Sequence, residues 1–251
     1  MFSIITVCFN SEKTILQTIE SIKQQLYTDF EHIFIDGGST DNTLSIISQC
    51  AHPSKVVISE PDSGIYAAMN KGLGLASGDI VLFLNSDDIL YDEKTLGLLY
   101  NCFAQGNSGI VYGNIEYVDS HNKVSSVWRP GEYYDGNFSN GWSCPHPGFV
   151  AKKSLYDRFG GFDESLAIAS DFDLMLRFFL QDVKNVYLDI TLVKMRDDGI
   201  SSKTSSIIRG YKEIIGSLKK NKVKFNIFIY TFKRYSPKIK RVLLKNSIRN
   251  F

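Results

Sequence analysis

Four short apolar runs fill the first 90 residues, and each leads into polar or acidic residues and then into a stretch with helical spacing. Phe2 to Phe9 is β-prone throughout, Asn10-Ser11 follows as a cap, and Ile15, Ile19, Ile22 and Leu26 then recur at helical intervals. His32 to Ile35 runs into Asp36-Gly37-Gly38-Ser39, a helix is predicted from about Asp41 to Cys50, and Val56 to Ser59 forms the third run. Ile65 to Leu75 is predicted helical and Ser77-Gly78 turns the chain. Ile80 to Leu84 then sets five apolar residues in succession, as a strand buried on both faces requires. This alternation predicts an α/β fold with a Rossmann-like, mostly parallel sheet flanked by helices, whose right-handed crossovers place ligands at the carboxyl ends of the strands. Asn10, Asp36, Asp62 and Asp87-Asp88 all fall just past strand ends.

From Ile110 the pattern changes to hairpin-like segments, Gly113 to Val118 and Lys123 to Trp128. A run at Gly148 to Ala151, helices from Ser154 and Ser170, and a strand near Val186 to Leu188 complete this second half. One domain over residues 1–213 is expected, with an appendage over 214–251.

The appendage stands out by charge. The net charge is +1, yet residues 214–251 hold 11 Lys or Arg and no Asp or Glu, which leaves the first 213 residues with 17 basic against 27 acidic. From Lys219 onward the basic residues interleave with Phe225, Ile227, Phe228, Phe232, Val242 and Leu243, and Pro237 divides the stretch in two. A basic amphipathic helical tail of this kind suits the headgroup plane of an anionic membrane surface; a partner subunit or a plain solvated face would use the same pattern. Nucleic acid is disfavoured, because the tail has no recognition fold and the acidic body repels a phosphate backbone. No apolar run approaches the roughly 18 residues that span a bilayer. Met1 to Phe9 lacks a basic flank and a cleavage site, so it reads as a strand and not an export signal. Cys8, Cys50, Cys102 and Cys144 lie far apart and form no C-x-x-C, which signals neither a zinc knuckle nor a disulfide framework. The expected location is the cytoplasm, peripherally on the inner face of the plasma membrane.

The sharpest chemical signal is Leu82-Phe83-Leu84-Asn85-Ser86-Asp87-Asp88, a buried strand ending in paired carboxylates. Hard oxygen donors in that position suit Mg²⁺ or Mn²⁺ completed by substrate phosphates; a solvated turn capping a helix from about Asp92 is the other explanation. Its companion is Glu60-Pro61-Asp62-Ser63-Gly64-Ile65-Tyr66 continuing to Gly72, whose polar residues should face the same crevice. His146, between Cys144-Pro145 and Pro147-Gly148, could contact an acceptor or make a buried hydrogen bond, and no second ligand stands at metal spacing. Trp128 and Trp142 could stack on the face of a ligand or belong to the core.

Together these segments resemble the inverting family 2 glycosyltransferases of the GT-A fold, the bacterial class that builds surface polysaccharides. The resemblance rests on Ile4-Ile5-Thr6-Val7-Cys8-Phe9-Asn10, Asp36-Gly37-Gly38-Ser39-Thr40-Asp41, Glu60 to Gly72, Asn85-Ser86-Asp87-Asp88, His146-Pro147-Gly148-Phe149, Gly160-Gly161-Phe162-Asp163-Glu164 and Ser170-Asp171-Phe172-Asp173. It implies a nucleotide-sugar half over 1–109 and an acceptor half over 110–213. It also implies transfer of one sugar from a UDP-linked donor to a hydroxyl of a lipid-diphosphate-linked or polysaccharide acceptor in cell-surface glycan synthesis. Thr6, Cys8, Asn10, Asp36 and Asp62 would line the nucleoside pocket, Asp87 would face ribose and metal, and Asp88 would be the principal ligand of a divalent Mg²⁺ or Mn²⁺. Lys71 and Arg196 would touch the diphosphate or else be surface charges. Asp197-Asp198-Gly199-Ile200-Ser201 is similar to a segment that often forms a mobile loop near the donor.

Asp171 is implied as the general base. Ser170 followed by Asp173 fits a capping pattern that would occupy Asp173 with backbone, leaving Asp171 in the first helical turn, where a carboxylate meets the positive end of the helix dipole. The family commonly has two acidic residues in tandem here, and this chain has Ser170 at the first. Asp171 could also merely help cap. A sugar-phosphate nucleotidyltransferase would need a Gly-rich, basic loop after the first strand, which Thr6 to Ser11 does not provide. A non-catalytic carbohydrate-binding relative is the remaining alternative.

Overall fold

The computed structural model describes residues 1–50, 54–106, 108–196 and 204–236. Every residue of β1 (Phe2–Cys8) and of β2 (Phe30–Asp36) is buried, because helices cover both faces of the sheet they centre. Alternate residues of β1 feed opposite layers. Ile5 and Val7 join the layer of α3 (Ile65–Leu75), while Phe2 and Ile4 join that of α4 (Thr95–Gly106); α1 (Ile15–Lys23) and α2 (Thr43–Gln49) pack on the same side as α4. Gly72 lets α3 settle on the sheet, since a Cβ there would stand 2.5 Å from Ile5 Cγ2.

The strands run in the order β3-β2-β1-β4-β8-β6-β9-β5, with β7 on β6. β3 (Lys55–Ser59), β2, β1 and β4 (Ile80–Phe83) are parallel, as expected. Past β4 the sheet is mixed. β8 (Phe149–Lys152) lies antiparallel to both β4 and β6 (Ile110–Val118), and β6 runs parallel to β9 (Asn185–Arg196). β9 far outruns the expected Val186 to Leu188. Its polar middle is carried by register shifts around Asn114, where Asp189 accepts from Asn114 Nδ2 (3.0 Å) and the Tyr187 hydroxyl (2.9 Å). β5 (Ile89–Leu90), an unexpected two-residue edge strand, pairs with β9 directly after Asp88. β7 (Val124–Trp128) forms the expected hairpin with β6.

α5 (Lys153–Phe159), α6 (Ser170–Phe179) and α7 (Thr204–Lys220) cover the α3 side. The expected boundary at 213/214 falls inside α7, whose Ile214, Ile215 and Leu218 are buried in the main core. A further helix spans 227–236 and buries Tyr230 in the same core. The rest of the basic tail, 237–251, and the segment 197–201 lie outside the described residues. Among the described residues no helix is long and apolar enough to cross a membrane.

Candidate active site

Sequence places acidic residues at strand ends, and the fold brings those ends to one rim. Most of the first loops' polar groups are spent holding each other. Asp36 is wholly buried and accepts from the Gly38 and Ser39 amides (3.1 and 2.9 Å), from the Ser39 hydroxyl and from the Ser59 hydroxyl (2.7 Å). Burial works against its charge, but these donors win and hold the carboxyl below the usual range. Cys8 lies 3.7 Å from Asp36, and burial, then Asp36, push its thiol up to about 12. Asn10 takes a left-handed backbone (φ 50°) and joins two loops: its amide donates to Ser39 Oγ (2.8 Å), and its Oδ1 accepts from the Thr40 amide (2.9 Å). Thr6 is turned inward, fully buried and bonded to His32 Nε2 at 2.9 Å, so its side chain does not reach the rim.

Three buried acceptors at the rim are left unspent. Asp62 gives Oδ1 to Lys71 (2.5 Å), while its Oδ2 is buried with no partner and lies 3.7 Å from where a Cβ on Gly37 would stand. Lys71 also reaches Glu60 (2.8 Å), so the expected diphosphate contact is held within an acidic pair, and these hydrogen bonds raise its ammonium above the ordinary value. Asp88 is 1% exposed; its Oδ2 accepts from Asn85 Nδ2 (3.1 Å), and its Oδ1 and Asn85 Oδ1 have no partner. Burial, then Asp87, drives the Asp88 carboxyl well above the carboxylate range. The Ser11 and Ser86 hydroxyls, 2.8 Å apart, and the Thr18 hydroxyl on Asp88 O (2.8 Å) fix this turn to the loop after β1.

Among the described residues no three His, Cys, Asp or Glu side chains gather as a metal site. The donor set nonetheless fits a Mg²⁺ or Mn²⁺ ion, which needs only one or two carboxylates when phosphates and water complete its shell. A cation beside the orphaned Asp88 oxygen would remove the cost of burying that charge. β5 pairs Ile89 with Lys194, and continuing this register two residues sets Arg196 opposite Asp87. Arg196 donates to Gln17 Oε1 (2.7 Å), and its Nε is buried without a partner.

From the other half, β8 runs against β4, so the turn His146–Gly148 arrives at the carboxyl end of β4. His146 lies tilted against Phe83 and edge-on to Phe162, and burial lowers its basicity while Asp171 pulls the other way. Asp171 sits in the first turn of α6, its Oδ1 accepting from the Phe172 amide (2.7 Å), with the Tyr66 hydroxyl 3.5 Å away. Tyr66 stands four residues after Asp62, so a single segment touches both the Asp36 loop and Asp171.

The expected backbone role of Asp173 is not what the structure shows. Ala169, not Ser170, is the N-cap of α6, which moves the pattern by one residue, and Asp173 instead pairs with Arg177 (2.8 Å). Trp142 is half-buried and packs against the core; its Nε1 donates to Pro130 O (2.8 Å) and its ring meets Tyr112, Phe138 and Phe179 edge-on. Tyr66 and Phe9 were not singled out from sequence. Phe9, 62% exposed at the end of a buried strand, lies 3.5 Å from a Cβ placed on Gly37; its exposed end position was the available signal.

The family model described as glycosyl transferase family 2 matches residues 3–158. Asp171 and Arg196 lie beyond that span. A PGL/p-HBAD biosynthesis glycosyltransferase of Mycobacterium tuberculosis (strain ATCC 25177 / H37Ra) is 30% identical over 183 residues, covering 71% of this chain and 70% of that protein. S. aureus TarS 1–349 in complex with UDP-GlcNAc matches the structure with a TM-score of 0.72 at 20% identity, over 94% of this chain and 72% of that one. The mannosyltransferase PcManGT from Pyrobaculum calidifontis, in complex with GDP-Man and Mn²⁺, matches with a TM-score of 0.69 at 20% identity, over 93% and 69%. The structural matches carry the fold and the sequence matches the family: the chain belongs to glycosyl transferase family 2, a glycosyltransferase of the GT-A fold.

Proposed function

We propose that this glycosyltransferase moves one sugar from a UDP-linked donor to a hydroxyl of a lipid-diphosphate-linked glycan in cell-surface polysaccharide synthesis, with inversion. The observation that carries the proposal is the set of buried, unpartnered acceptors at one rim, Asp62 Oδ2, Asn85 Oδ1 and Asp88 Oδ1, with Asp171 joined to the same rim through Tyr66. Isolated buried oxygens of this kind cost stability unless a ligand satisfies them. Asp62 would accept from the base or ribose and Phe9 would stack on the base, with Cys8, Asn10 and Asp36 shaping the loops around it. Asp87 and Asp88 would hold the divalent cation, and Arg196 would offer its spare Nε to the diphosphate. When bound, that ion supplies charge neutralisation for the departing nucleoside diphosphate. Asp171 takes the proton from the acceptor hydroxyl as its oxygen bonds to the anomeric carbon and the bond to the diphosphate breaks, and this single displacement inverts the centre.

The test is a donor screen with a lipid-diphosphate sugar acceptor. Asp171→Asn is expected to lower kcat by about 10²- to 10⁴-fold, and Asp88→Ala to abolish the response to added Mg²⁺ or Mn²⁺. Full transfer by both variants would end the assignment.

The basic tail supports a membrane-surface reading for the acceptor. Phe228 and Phe232, 82% and 73% exposed, stand one turn apart on the 227–236 helix, and Phe228 lines a groove with Lys219 and Lys224. A Phe228→Ser/Phe232→Ser variant is expected to lose sedimentation with phosphatidylglycerol vesicles while still glycosylating a short soluble acceptor. Unchanged sedimentation would refute membrane docking by this face.

A further inference from the structure

The segment entering α6 is held from a distant helix. Glu213, in the middle of α7 and 11% exposed, spreads its carboxylate over three successive amides: Ala167 donates to Oε1 (3.1 Å), and Ile168 and Ala169 donate to Oε2 (2.8 and 3.0 Å). Arg209, one turn earlier on α7, donates to Oε1 from its Nε at 2.9 Å. Burial opposes the charge on Glu213, yet the amides and Arg209 together hold its carboxyl below the usual range. From the opposite side the Tyr66 hydroxyl donates to Ile168 O (2.8 Å) and stands 3.5 Å from Asp171 Oδ1. α7 can approach this closely because Gly210 faces Ile168, whose Cγ2 would be 2.9 Å from a Cβ there. Residues 167–169 are therefore fixed by a carboxylate on one side and a phenol on the other, two residues ahead of Asp171.

We propose that Glu213 is a positioning residue for Asp171: it clamps the chain that launches α6 and so sets where the Asp171 carboxylate meets the acceptor hydroxyl. This rests on Asp171 acting as the base. The amides that Glu213 binds lie just ahead of α6 and end at its N-cap, Ala169, and the residue that serves them is more than 40 positions away, so the geometry of the base depends on the docking of α7.

The experiment compares Glu213→Ala, Glu213→Gln and Asp171→Asn in the full chain. It measures kcat and KM for transfer, UDP affinity by calorimetry and Tm, and includes the double variant Glu213→Ala/Asp171→Asn. Glu213→Ala is expected to lower kcat by up to about 10²-fold, the scale of a misplacement near 1 Å, with UDP affinity unchanged. Glu213→Gln, which keeps one acceptor oxygen, should recover part of the loss, and it carries the test if the alanine variant does not fold. In the Asp171→Asn background the Glu213 change should cost no further kcat, since both act on one step. If Asp171→Asn is inactive while Glu213→Ala and Glu213→Gln keep the wild-type kcat, the positioning role is overturned and the base stands. Fully additive losses would also overturn it. If Asp171→Asn stays active, the base assignment itself has failed.

Discussion

At the carboxyl ends of β1 and β2 the chain is held by polar side chains, with Asn10 bonded to the next loop, Asp36 to Ser39 and Ser59, and Ser11 to Thr43 and Ser86. Beyond β8 the same task falls to rings, since Phe179 lies within 4.7 to 6.0 Å of Tyr133, Trp142, Tyr112, Phe149 and Phe138. Hydrogen bonds fix direction as well as distance, which suits loops that leave particular oxygens, Asp62 Oδ2 and Asp88 Oδ1 among them, without a partner. Aromatic packing fixes position through buried area and leaves polar work to a few long-range residues such as Glu213.

Breaking each half should leave a different signature. The largest effect on stability is expected from Phe179→Ala, which empties a site 3% exposed at the centre of the aromatic cluster. Denaturant unfolding should show a loss of about 3–5 kcal/mol with little dependence on pH. A smaller, pH-dependent loss is expected from Glu31→Gln at the amino end of the same strands, which polar bonds also hold. Glu31 accepts from Ser3 Oγ (2.6 Å), the Ser77 amide (2.6 Å) and hydroxyl (2.9 Å), and the Gly78 amide (3.2 Å). Burial favours its neutral form, but these donors prevail and its carboxyl lies below the ordinary value. Its contribution is therefore complete above the unfolded-state value near about pH 4.3 and is lost as pH falls through the lower folded-state value. Glu31→Gln should cost about 1–3 kcal/mol at pH 7, and the gap to wild type should close in acid. A gap that stays constant across pH would show that packing, not charge, makes Glu31 matter.

The first half was legible from sequence because its contacts follow periodicity. The expected helix over Ile65 to Leu75 and the strands around β1 and β4 recur almost residue for residue, since burial on both faces leaves a continuous apolar run, whereas β2, interrupted by Glu31 and His32, runs from Phe30 to Asp36 and outgrows the expected His32 to Ile35. The mixed order beyond β4 was not legible, because no local pattern says that β8 enters between β4 and β6. The candidate site divides in the same way. Asp62 and Asp88 announce themselves by standing after strands, whereas Glu213 serves amides 44 to 46 residues away and nothing near it in the chain says so. Asp173 had a readable signal that pointed elsewhere: an acid four residues before Arg177 on one helix face is an ion-pair spacing, and that pairing won over the backbone.

The insertion of β8 has a practical consequence for recombining such enzymes. Among the described residues, strand pairing between the first 109 residues and the rest of the sheet runs through two joins, β4 with β8 along Ile80↔Lys152, Val81↔Ala151 and Leu82↔Val150, and β5 with β9 along Ile89↔Lys194 and Leu90↔Val193. A chimera that grafts the first 109 residues of a relative onto this chain must therefore reproduce both short zippers, one of three partners and one of two.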